Sequence, residues 1–195
     1  MSDPLLTGGA LHADALATLE SWPAPDAGQE ALRQDFVAHL RAHADGVRRS
    51  CLPAHLTAST LVLDPAGERV LLTLHRKGGF WGQFGGHTEP GDASVAAAAL
   101  REAREESGIE DLALLGDGPV DLDRHALSSA FGACGEHLDV RYAALAPPGA
   151  APVVSVESHD VAWWSLDALP PEAVDDLGRL VAAARAAVSA AAARG

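Results

Sequence analysis

The segment from residue 85 to residue 109 constrains the fold of this chain more than any other part of the sequence. It begins with Gly85-Gly86, passes through the polar loop Glu89 to Asp92, and continues into an alanine-rich run over 94–107 that lacks glycine and proline. Such a run predicts a helix, and Gly108 is placed to end it. The fold must therefore bring a pair of turn-forming glycines and a short loop directly into a helix.

The predicted helix separates its acidic side chains from its small ones. Glu102, Glu105 and Glu106 follow the i, i+3, i+4 spacing, which places three carboxylates along one stripe. The opposite side is small or apolar, so it can pack closely on a sheet. Its residues are Val95, Ala96, Ala99, Leu100 and Ala103.

Three carboxylates in one stripe need a reason, because like charges at this spacing cost about 0.2–0.5 kcal/mol per pair on an isolated helix. A cluster of carboxylate oxygens suits Mg²⁺ or Mn²⁺ when the ion keeps several waters and shares its other positions with substrate phosphates. The alternative is an ordinary solvated helix face. The glycine pair, the loop, Arg101 and Gly108 all fall in register with the stripe, which favours a metal site.

Two neighbours of the stripe support this interpretation. Arg101 can reach Glu105 at i+4 and orient its carboxylate through a charge-assisted hydrogen bond. Gly85 and Gly86 carry no Cβ, so their backbone can come close to the acids. The Gly86 carbonyl can then complete the metal shell.

The rest of the chain predicts an α/β (α+β) domain with helices on both faces of a central sheet. Residues 1 to 10 are expected to lack structure, and two helices precede the first strand. The predicted helices are Ala13 to Glu20, Gln29 to Val47, the acidic helix, and Pro171 to Ala193. The predicted strands are Leu56 to Leu63, Arg69 to His75, Val120 to Leu127, His137 to Leu145 and Val161 to Ser165.

Net charge and cysteine content limit the partners and the compartment. A formal charge of −13 argues against polymeric nucleic acid or an anionic membrane as a partner. A small phosphate ligand remains compatible with this charge if a cation bridges it to the protein. Cys51 and Cys134 are too few for a disulfide framework and are expected to be free thiols. No signal peptide or apolar span is evident, so the cytoplasm is the expected location.

The segment 86–109 resembles the Nudix box, whose pattern is glycine, five residues, glutamate, seven residues, then Arg-Glu-aliphatic-x-Glu-Glu-x-Gly-aliphatic. Gly86 matches the first glycine, and residues 101–109 match the second half in full when Ala103 is taken as aliphatic. Two departures occur between them. Asp92 stands at the first glutamate, and eight residues rather than seven separate it from Arg101.

Segments outside the box are similar to a bacterial branch of the same family that has a helical N-terminal extension. These segments are HLTASTLVLD over 55–64 and LHRKGGFWGQFGGHTEPGD over 74–92. The branch commonly has proline where this chain has Phe84.

The resemblance implies a Nudix-type α/β/α sandwich with a mixed central sheet over residues 54–190, preceded by a helical extension over 1–53. It implies Mg²⁺-dependent or Mn²⁺-dependent hydrolysis of a diphosphate linkage in a small-molecule nucleoside diphosphate derivative. The alternative is a regulatory module on a Nudix scaffold that binds a nucleotide without turning it over. The intact acidic set favours the hydrolase.

The resemblance also assigns roles to residues. Glu102, Glu105, Glu106 and the Gly86 carbonyl would hold the metal, and the catalytic set comprises Glu102, Glu105 and Arg101. The general base is either a glutamate of the box or one of a later loop, for which Glu157 is the candidate.

Several weaker assignments complete the predictions. Arg76, Trp81 and Arg141 are candidate substrate ligands, although a surface position, core packing or a structural hydrogen bond would explain each of them as well. His87, with Glu89 and Asp92, can bind another cation, but turn chemistry is the simpler explanation. Three further polar residues lie on predicted strands, where they either line the substrate cleft or make structural hydrogen bonds. They are Arg124, His125 and His137. Substrate specificity is assigned to the loops 116–119, 131–136 and 147–158, and a homodimer through the helical extension is possible.

Overall fold

The strands form one mixed sheet built around β1. The computed structural model describes residues 4–127 and 134–193, and within these ranges the sheet has eight strands. They are β1 (Ala54–Leu63), β2 (Arg69–His75), β3 (Trp81–Gly82), β4 (Phe84–His87), β5 (Ala113–Leu114), β6 (Asp121–Ala126), β7 (Glu136–Leu145) and β8 (Ser158–Ser165). Every residue of β1 is buried, as expected for a central strand covered on both faces.

Strand β1 pairs with one strand along one edge and with two strands along the other. On one side β1 runs parallel to β7 along its whole length. On the other side its end pairs antiparallel with β2, whereas the stretch from Thr57 to Thr60 pairs antiparallel with β4. The short strand β4 therefore lies at the edge of the sheet.

The helices are α1 (Pro4–Ser21), α2 (Ala27–Ala42), α3 (Val95–Ser107) and α4 (Leu177–Ala192). The acidic helix is α3. The Ser94 side chain accepts a hydrogen bond from the Ala97 amide at its start, and Gly108 ends it in the left-handed conformation with φ 70°. Among the described residues, no helix is long and apolar enough to cross a bilayer.

The structure corrects several predicted boundaries. Helix α1 begins at Pro4, so residues 4 to 10 are helical, and proline is favoured at a first helical position because its missing N–H is not needed there. Helix α2 ends at Ala42 rather than Val47, because the chain turns at Gly46, whose amide donates to the His43 carbonyl. Helix α4 begins at Leu177 rather than Pro171.

Pairing with β3 accounts for the late start of α4. The Trp81 amide donates to the Glu172 carbonyl, and the Val174 amide donates to the Trp81 carbonyl. The segment before α4 therefore follows a strand edge and cannot also be helical.

The helices cover both faces of the sheet, which confirms the predicted fold class. Helices α1, α2 and α3 pack on the face that carries the even-numbered residues of β1, such as Leu56 and Val62. Helix α4 packs on the opposite face, against Leu61 and Leu63. Alternate side chains of β1 therefore belong to two apolar layers, one on each face of the sheet.

The N-terminal helices share the core of the domain. Leu19 of α1 and Phe36 of α2 are fully buried in the cluster that also contains Leu122 of β6. The Asp14 carboxylate accepts a hydrogen bond of 2.8 Å from the Val95 amide, at the first residue of α3. Buried side chains of both helices thus contribute to the core of the domain. The predicted boundary at residues 53/54 and the homodimer remain predictions.

Gln29 joins α2 to the backbone of β6. Its amide nitrogen donates to the Leu122 carbonyl at 3.0 Å, and its amide oxygen accepts from the Leu122 N–H at 2.7 Å. All of these groups are buried, so the glutamine takes the place of a neighbouring strand at this position.

We expect Gln29→Ala to lower the free energy of unfolding by about 1–3 kcal/mol, because it leaves the Leu122 N–H buried without a partner and leaves the Leu122 carbonyl only the bond from the Arg179 guanidinium. Urea unfolding measures the change. Gln34→Ala is the matched control, since Gln34 lies on the same helix with its side chain bonded only to exposed Glu30. Equal stabilities of the two variants would contradict the expectation.

Candidate active site

Helix α3 presents the acidic stripe to β4 because its small residues hold it close to the sheet. Ala98, Ala99 and Ala103 are fully buried beneath it. The Ala99 carbonyl also accepts a 3.0 Å hydrogen bond from the Thr60 hydroxyl of β1. With no bulky side chain in between, the carboxylates come down against the backbone of β4.

Gly85 and Gly86 are what permits this approach. A Cβ at Gly86 would lie 2.8 Å from the carboxylate atoms of Glu102, and a Cβ at Gly85 would lie 2.4 Å from the Cβ of Ser59. The pair lies in β4 and not in the predicted turn, because its backbone pairs with Ala58 and Ser59 of β1. The expected close approach of this backbone to the acids is present.

Arg101 lies at the centre of the acidic cluster. Its guanidinium donates to Glu102 and to Glu105, each at 3.1 Å, and to the carbonyl of His87 at 3.0 Å. The bond to Glu105 is the one that the i+4 spacing predicts. One cation thus orients the stripe and attaches it to the end of β4.

Asp92 binds Arg101, and the sequence did not predict this contact. Its carboxylate binds Arg101 through both oxygens, at 3.0 and 3.1 Å, and also accepts a 2.6 Å hydrogen bond from the Glu89 amide. It holds the guanidinium from the side opposite the stripe. The signal was available, because Asp92 occupies the acidic position of the box pattern, but the extra loop residue obscured it.

The carboxylates differ sharply in their environments. The Glu105 side chain is 60% exposed, whereas that of Glu102 is only 16% exposed. Burial raises the pKa of Glu102 in spite of the attraction of Arg101. Burial, followed by repulsion from Glu102 and Glu157, raises the pKa of Glu106 to about 8, although the Gly85 amide hydrogen-bonds to it.

This distribution of charge fits a divalent cation. Arg101 supplies one positive charge to a group of acids that includes Asp92, Glu102, Glu105 and Glu106. The burial of Glu106 beside its neighbours favours a proton or another cation on the cluster. The cluster has more negative than positive charge, and carboxylate oxygens are the ligands that Mg²⁺ and Mn²⁺ prefer.

Glu157 and Arg76 lie beside this cluster on adjoining chain segments. Glu157 is exposed in the turn before β8, and its charge contributes to the raised pKa values of Glu102 and Glu106. The Arg76 amide donates to the Glu157 carbonyl at 3.0 Å, and the Arg76 guanidinium donates to the Ser158 carbonyl at 2.8 Å. Glu157 therefore lies close enough to the acidic stripe to act on its charges, and Arg76 is bonded to the backbone of the segment that carries Glu157.

Trp81 and Arg141 lie elsewhere, and their placements argue against the predicted substrate contacts. Trp81 is buried in the layer beneath α4, with its ring edge-on to Trp164 at 5.4 Å. The Arg141 side chain is 3% exposed and is paired with buried and partly buried carboxylates on the face that α4 covers. These carboxylates belong to Asp121, Asp123, Asp139 and Asp176. Packing in one case and charge pairing in the other account for both side chains.

The structure describes the predicted specificity loop 147–158 in full but the loop 131–136 only in part. In the loop 147–158, the Val153 amide donates to the Ser107 carbonyl, so this loop contacts the end of α3. Val153, Val154 and Val156 expose apolar surface there. In the loop 131–136, residues 131–133 lie outside the described residues.

A family model for the NUDIX domain matches residues 53–184. The chain belongs to the NUDIX domain family. The match includes β1 to β8, the acidic helix and the start of α4, and it confirms the family that the box pattern indicates. Membership in the family and the intact acidic helix together make the protein a hydrolase that acts on pyrophosphate bonds.

Solved structures of Nudix proteins share the fold. A NUDIX-family hydrolase from Clostridium perfringens is 23% identical, with a TM-score of 0.54, and the match covers 69% of this chain and 96% of that one. An Ap4A hydrolase from C. elegans is 19% identical, with a TM-score of 0.55, and 69% of this chain and 98% of that chain are covered. The NUDIX domain of NrtR from Shewanella oneidensis, in complex with ADP ribose, is 21% identical, with a TM-score of 0.53 and coverage of 72% and 92%.

Comparison with curated proteins gives no significant match. The identities to the solved Nudix structures are low, so the likeness establishes the fold alone.

The raised pKa of Glu106 predicts how stability depends on pH. A carboxyl group whose pKa rises from 4.5 to about 8 on folding keeps a proton that the unfolded chain releases. The free energy of unfolding should therefore fall as pH rises from 4.5 to 8. Between pH 6.5 and 8 the loss is up to about 2 kcal/mol.

Glu106→Gln should remove this part of the pH dependence in EDTA. Urea unfolding at pH 6.5 and 8 measures it, and Glu110→Gln, which changes an exposed acid just beyond α3, is the control. His125, whose pKa is raised by Asp123, has the same sign of effect but is present in all three proteins. Identical slopes in the wild type and Glu106→Gln would contradict the assignment.

Proposed function

We propose that the protein hydrolyses a diphosphate linkage in a small-molecule nucleoside diphosphate derivative with the aid of Mg²⁺ or Mn²⁺. The observation that carries the proposal is the pair of buried carboxylates Glu102 and Glu106 near Arg101. The negative charge of this cluster exceeds the one positive charge that Arg101 supplies. Nucleotide derivatives appear in the names of Nudix structures of the same fold, as Ap4A and ADP ribose. The net charge of −13 and the acidic cluster oppose a polymeric nucleic acid as substrate.

The donor set supports a hard divalent cation. Glu102, Glu105, Glu106 and the Gly86 carbonyl would hold it, all of them oxygen donors at one end of α3 and β4. A bound cation supplies neutralisation of phosphate charge, polarisation of the reacting P–O bonds and a lower pKa for a water nucleophile.

The protein's own side chains supply orientation and proton transfer. Arg101 fixes the carboxylates of Glu102 and Glu105 so that they need little rearrangement in the reaction. Two exposed carboxylates beside the buried pair, Glu105 and Glu157, are the candidates for accepting the proton of the attacking water. Arg76, exposed and anchored through the Ser158 carbonyl, is positioned to bind a phosphate.

The loop that carries Glu157 offers a surface for the rest of the substrate. Val153, Val154 and Val156 are exposed along it. An apolar strip beside an anionic site suits a nucleoside whose phosphates lie on the metal. Free Cys51 and Cys134 agree with the reducing cytoplasm proposed as its location.

Activity assays on a panel of nucleotides with Mg²⁺ test the proposal through product identity. Pyrophosphate and a monophosphate would indicate cleavage of nucleoside triphosphates, whereas two monophosphates would indicate cleavage of nucleotide sugars or ADP-ribose. EDTA should abolish product formation. Tight nucleotide binding without product, with either Mg²⁺ or Mn²⁺, would instead support the regulatory module.

We expect Glu106→Gln to reduce kcat/KM by a factor of about 10²–10³, since it removes a charged oxygen from the site of phosphate charge stabilisation. Glu105→Gln and Glu157→Gln, assayed in parallel, identify the proton acceptor as the variant with the larger fall in kcat at saturating metal. Glu110→Gln should retain full activity. Full activity in both Glu105→Gln and Glu106→Gln would refute the site.

Gly86→Ala tests the close approach of α3 and β4. The added Cβ meets the Glu102 carboxylate, so we expect Mn²⁺ to bind about tenfold or more weakly. Electron paramagnetic resonance of free Mn²⁺ measures the affinity. Gly91→Ala is the control, because a Cβ at Gly91 meets nothing within 4 Å. An unchanged Mn²⁺ affinity in Gly86→Ala would show that Glu102 does not need this contact.

A further inference from the structure

Three imidazoles meet on the face of the sheet that is turned away from the acidic helix. His55 is the second residue of β1, His137 pairs with it on β7, and His87 ends β4 opposite Thr57. Side chains alternate along a strand, so Gly86 faces Glu102 whereas its neighbour His87 faces the other way. The register of three adjacent strands therefore gathers these histidines on one side.

The three rings form a nearly regular triangle. Each pair of ring centroids among His55, His87 and His137 is 5.1 Å apart. One potential ligand nitrogen from each ring lies within 4.8 Å of the other two. Among the described contacts, no hydrogen bond joins these three rings to one another, so hydrogen bonding between them does not explain why they lie so close together.

His55 provides the second observation. Its side chain is fully buried, yet its Nε2 has no hydrogen-bond partner within the described part of the chain. Its Nδ1 lies 3.1 Å from the Cys51 carbonyl. With the Nδ1 proton donated to that carbonyl, Nε2 carries a free lone pair in the interior, which is costly unless a ligand occupies it.

We propose that His55, His87 and His137 bind a transition-metal cation of the Zn²⁺ type, at a site separate from the carboxylate cluster of α3. Three imidazole nitrogens are a borderline-soft donor set that suits Zn²⁺, Co²⁺, Ni²⁺ or Cu²⁺, whereas Mg²⁺ and Mn²⁺ prefer oxygen. The hydrogen bond from His55 to a carbonyl is the second contact that ligating histidines commonly make.

The charge state of the imidazoles agrees with this assignment. Burial, reinforced by repulsion between the rings, lowers the pKa of His137 to about 3 and that of His87 to about 4. Burial lowers the pKa of His55 as well. All three are therefore neutral at pH 7, which is the form that ligates metal.

Neighbouring groups leave the fourth coordination position to water or another ligand. The Asp139 carboxylate is occupied by Thr57, Ser59 and Arg141. His125 stacks edge-on to His137 at 5.4 Å, but its Nδ1 is bonded to Asp123. The three nitrogens must approach to about 3.3 Å from one another to reach Zn–N distances of about 2.0–2.1 Å, so binding requires small ring rotations.

A cation at this site would join the edge strand β4 to β1 and β7. Strand β4 is only four residues long and carries Gly86, against which Glu102 lies. The proposed site would therefore stabilise β4 from the opposite face of the sheet, and β4 is the strand against which the carboxylate cluster packs.

Zinc binding to the full-length chain tests the proposal. Protein freed of metal with a chelator is dialysed against micromolar Zn²⁺ with millimolar Mg²⁺, which competes for the carboxylates, and retained zinc is measured by mass spectrometry. We expect one Zn²⁺ per chain, retained in Glu105→Gln and Glu106→Gln. Co²⁺ should give the visible absorption of a four-coordinate site with nitrogen ligands.

His137→Gln and His87→Gln should each weaken Zn²⁺ binding at least tenfold. His159→Gln, in an exposed position on β8, should bind as the wild type does. Saturating Zn²⁺, a hundredfold above Kd, should raise Tm by about 5 °C or more in the wild type and in His159→Gln only. Far-ultraviolet circular dichroism shows that each variant is folded, and His87→Gln, at the sheet edge, serves if His137→Gln is not.

Two results would overturn the site. One is the absence of retained zinc in the wild type. The other is zinc that survives both histidine substitutions and disappears in the glutamate variants, which would assign it to the carboxylates. Neither result contradicts the proposed hydrolysis, which is tested separately by product formation with Mg²⁺.

Discussion

The close approach of α3 to β4 is the constraint on which the rest of this structure depends. It requires two things at once: alanines on the buried side of the helix and glycines on the facing strand. Gly86 leaves room for the Glu102 carboxylate, and Gly85 leaves room for β4 to lie against Ser59. A larger side chain at Gly86 would push the Glu102 carboxylate away from β4, and one at Gly85 would push β4 away from β1.

This approach has an electrostatic consequence. Glu106 is drawn toward the Gly85 amide while burial and its acidic neighbours oppose its ionisation. Arg101 compensates part of the charge and is itself held by Asp92. In the proposed function, a divalent cation bound by this cluster would reverse the local field, and a protein of net charge −13 could then receive a diphosphate.

The sequence predicted those parts of the fold that local chemistry determines. Helix α3 was predictable because its N-cap, its spacing and its terminal glycine lie within the helix itself. The start of α4 was not, because the preceding residues prefer hydrogen bonds to Trp81, which is distant in the chain. The same limit applies to Arg141, since only the pairing of β6, β7 and α4 brings four aspartates around it.

The proposed imidazole site shows the same limit. His55, His87 and His137 are widely separated in sequence, and no short spacing links them. Their meeting depends on the parallel pairing of β1 with β7 and the antiparallel pairing of β1 with β4. Neither register can be inferred from the residues alone.

The N-terminal helices support the carboxylate cluster from outside the matched domain. Asp14 of α1 accepts a hydrogen bond from the first amide of α3, where a negative charge is favoured by the helix dipole. The Thr88 hydroxyl, next to the end of β4, donates to the Val47 carbonyl in the segment after α2. The extension therefore contacts the helix at its first residue and the chain at Thr88, directly after the strand whose approach to that helix forms the site. Its burial in the common core makes it part of the framework that positions the acids rather than an appendage to it.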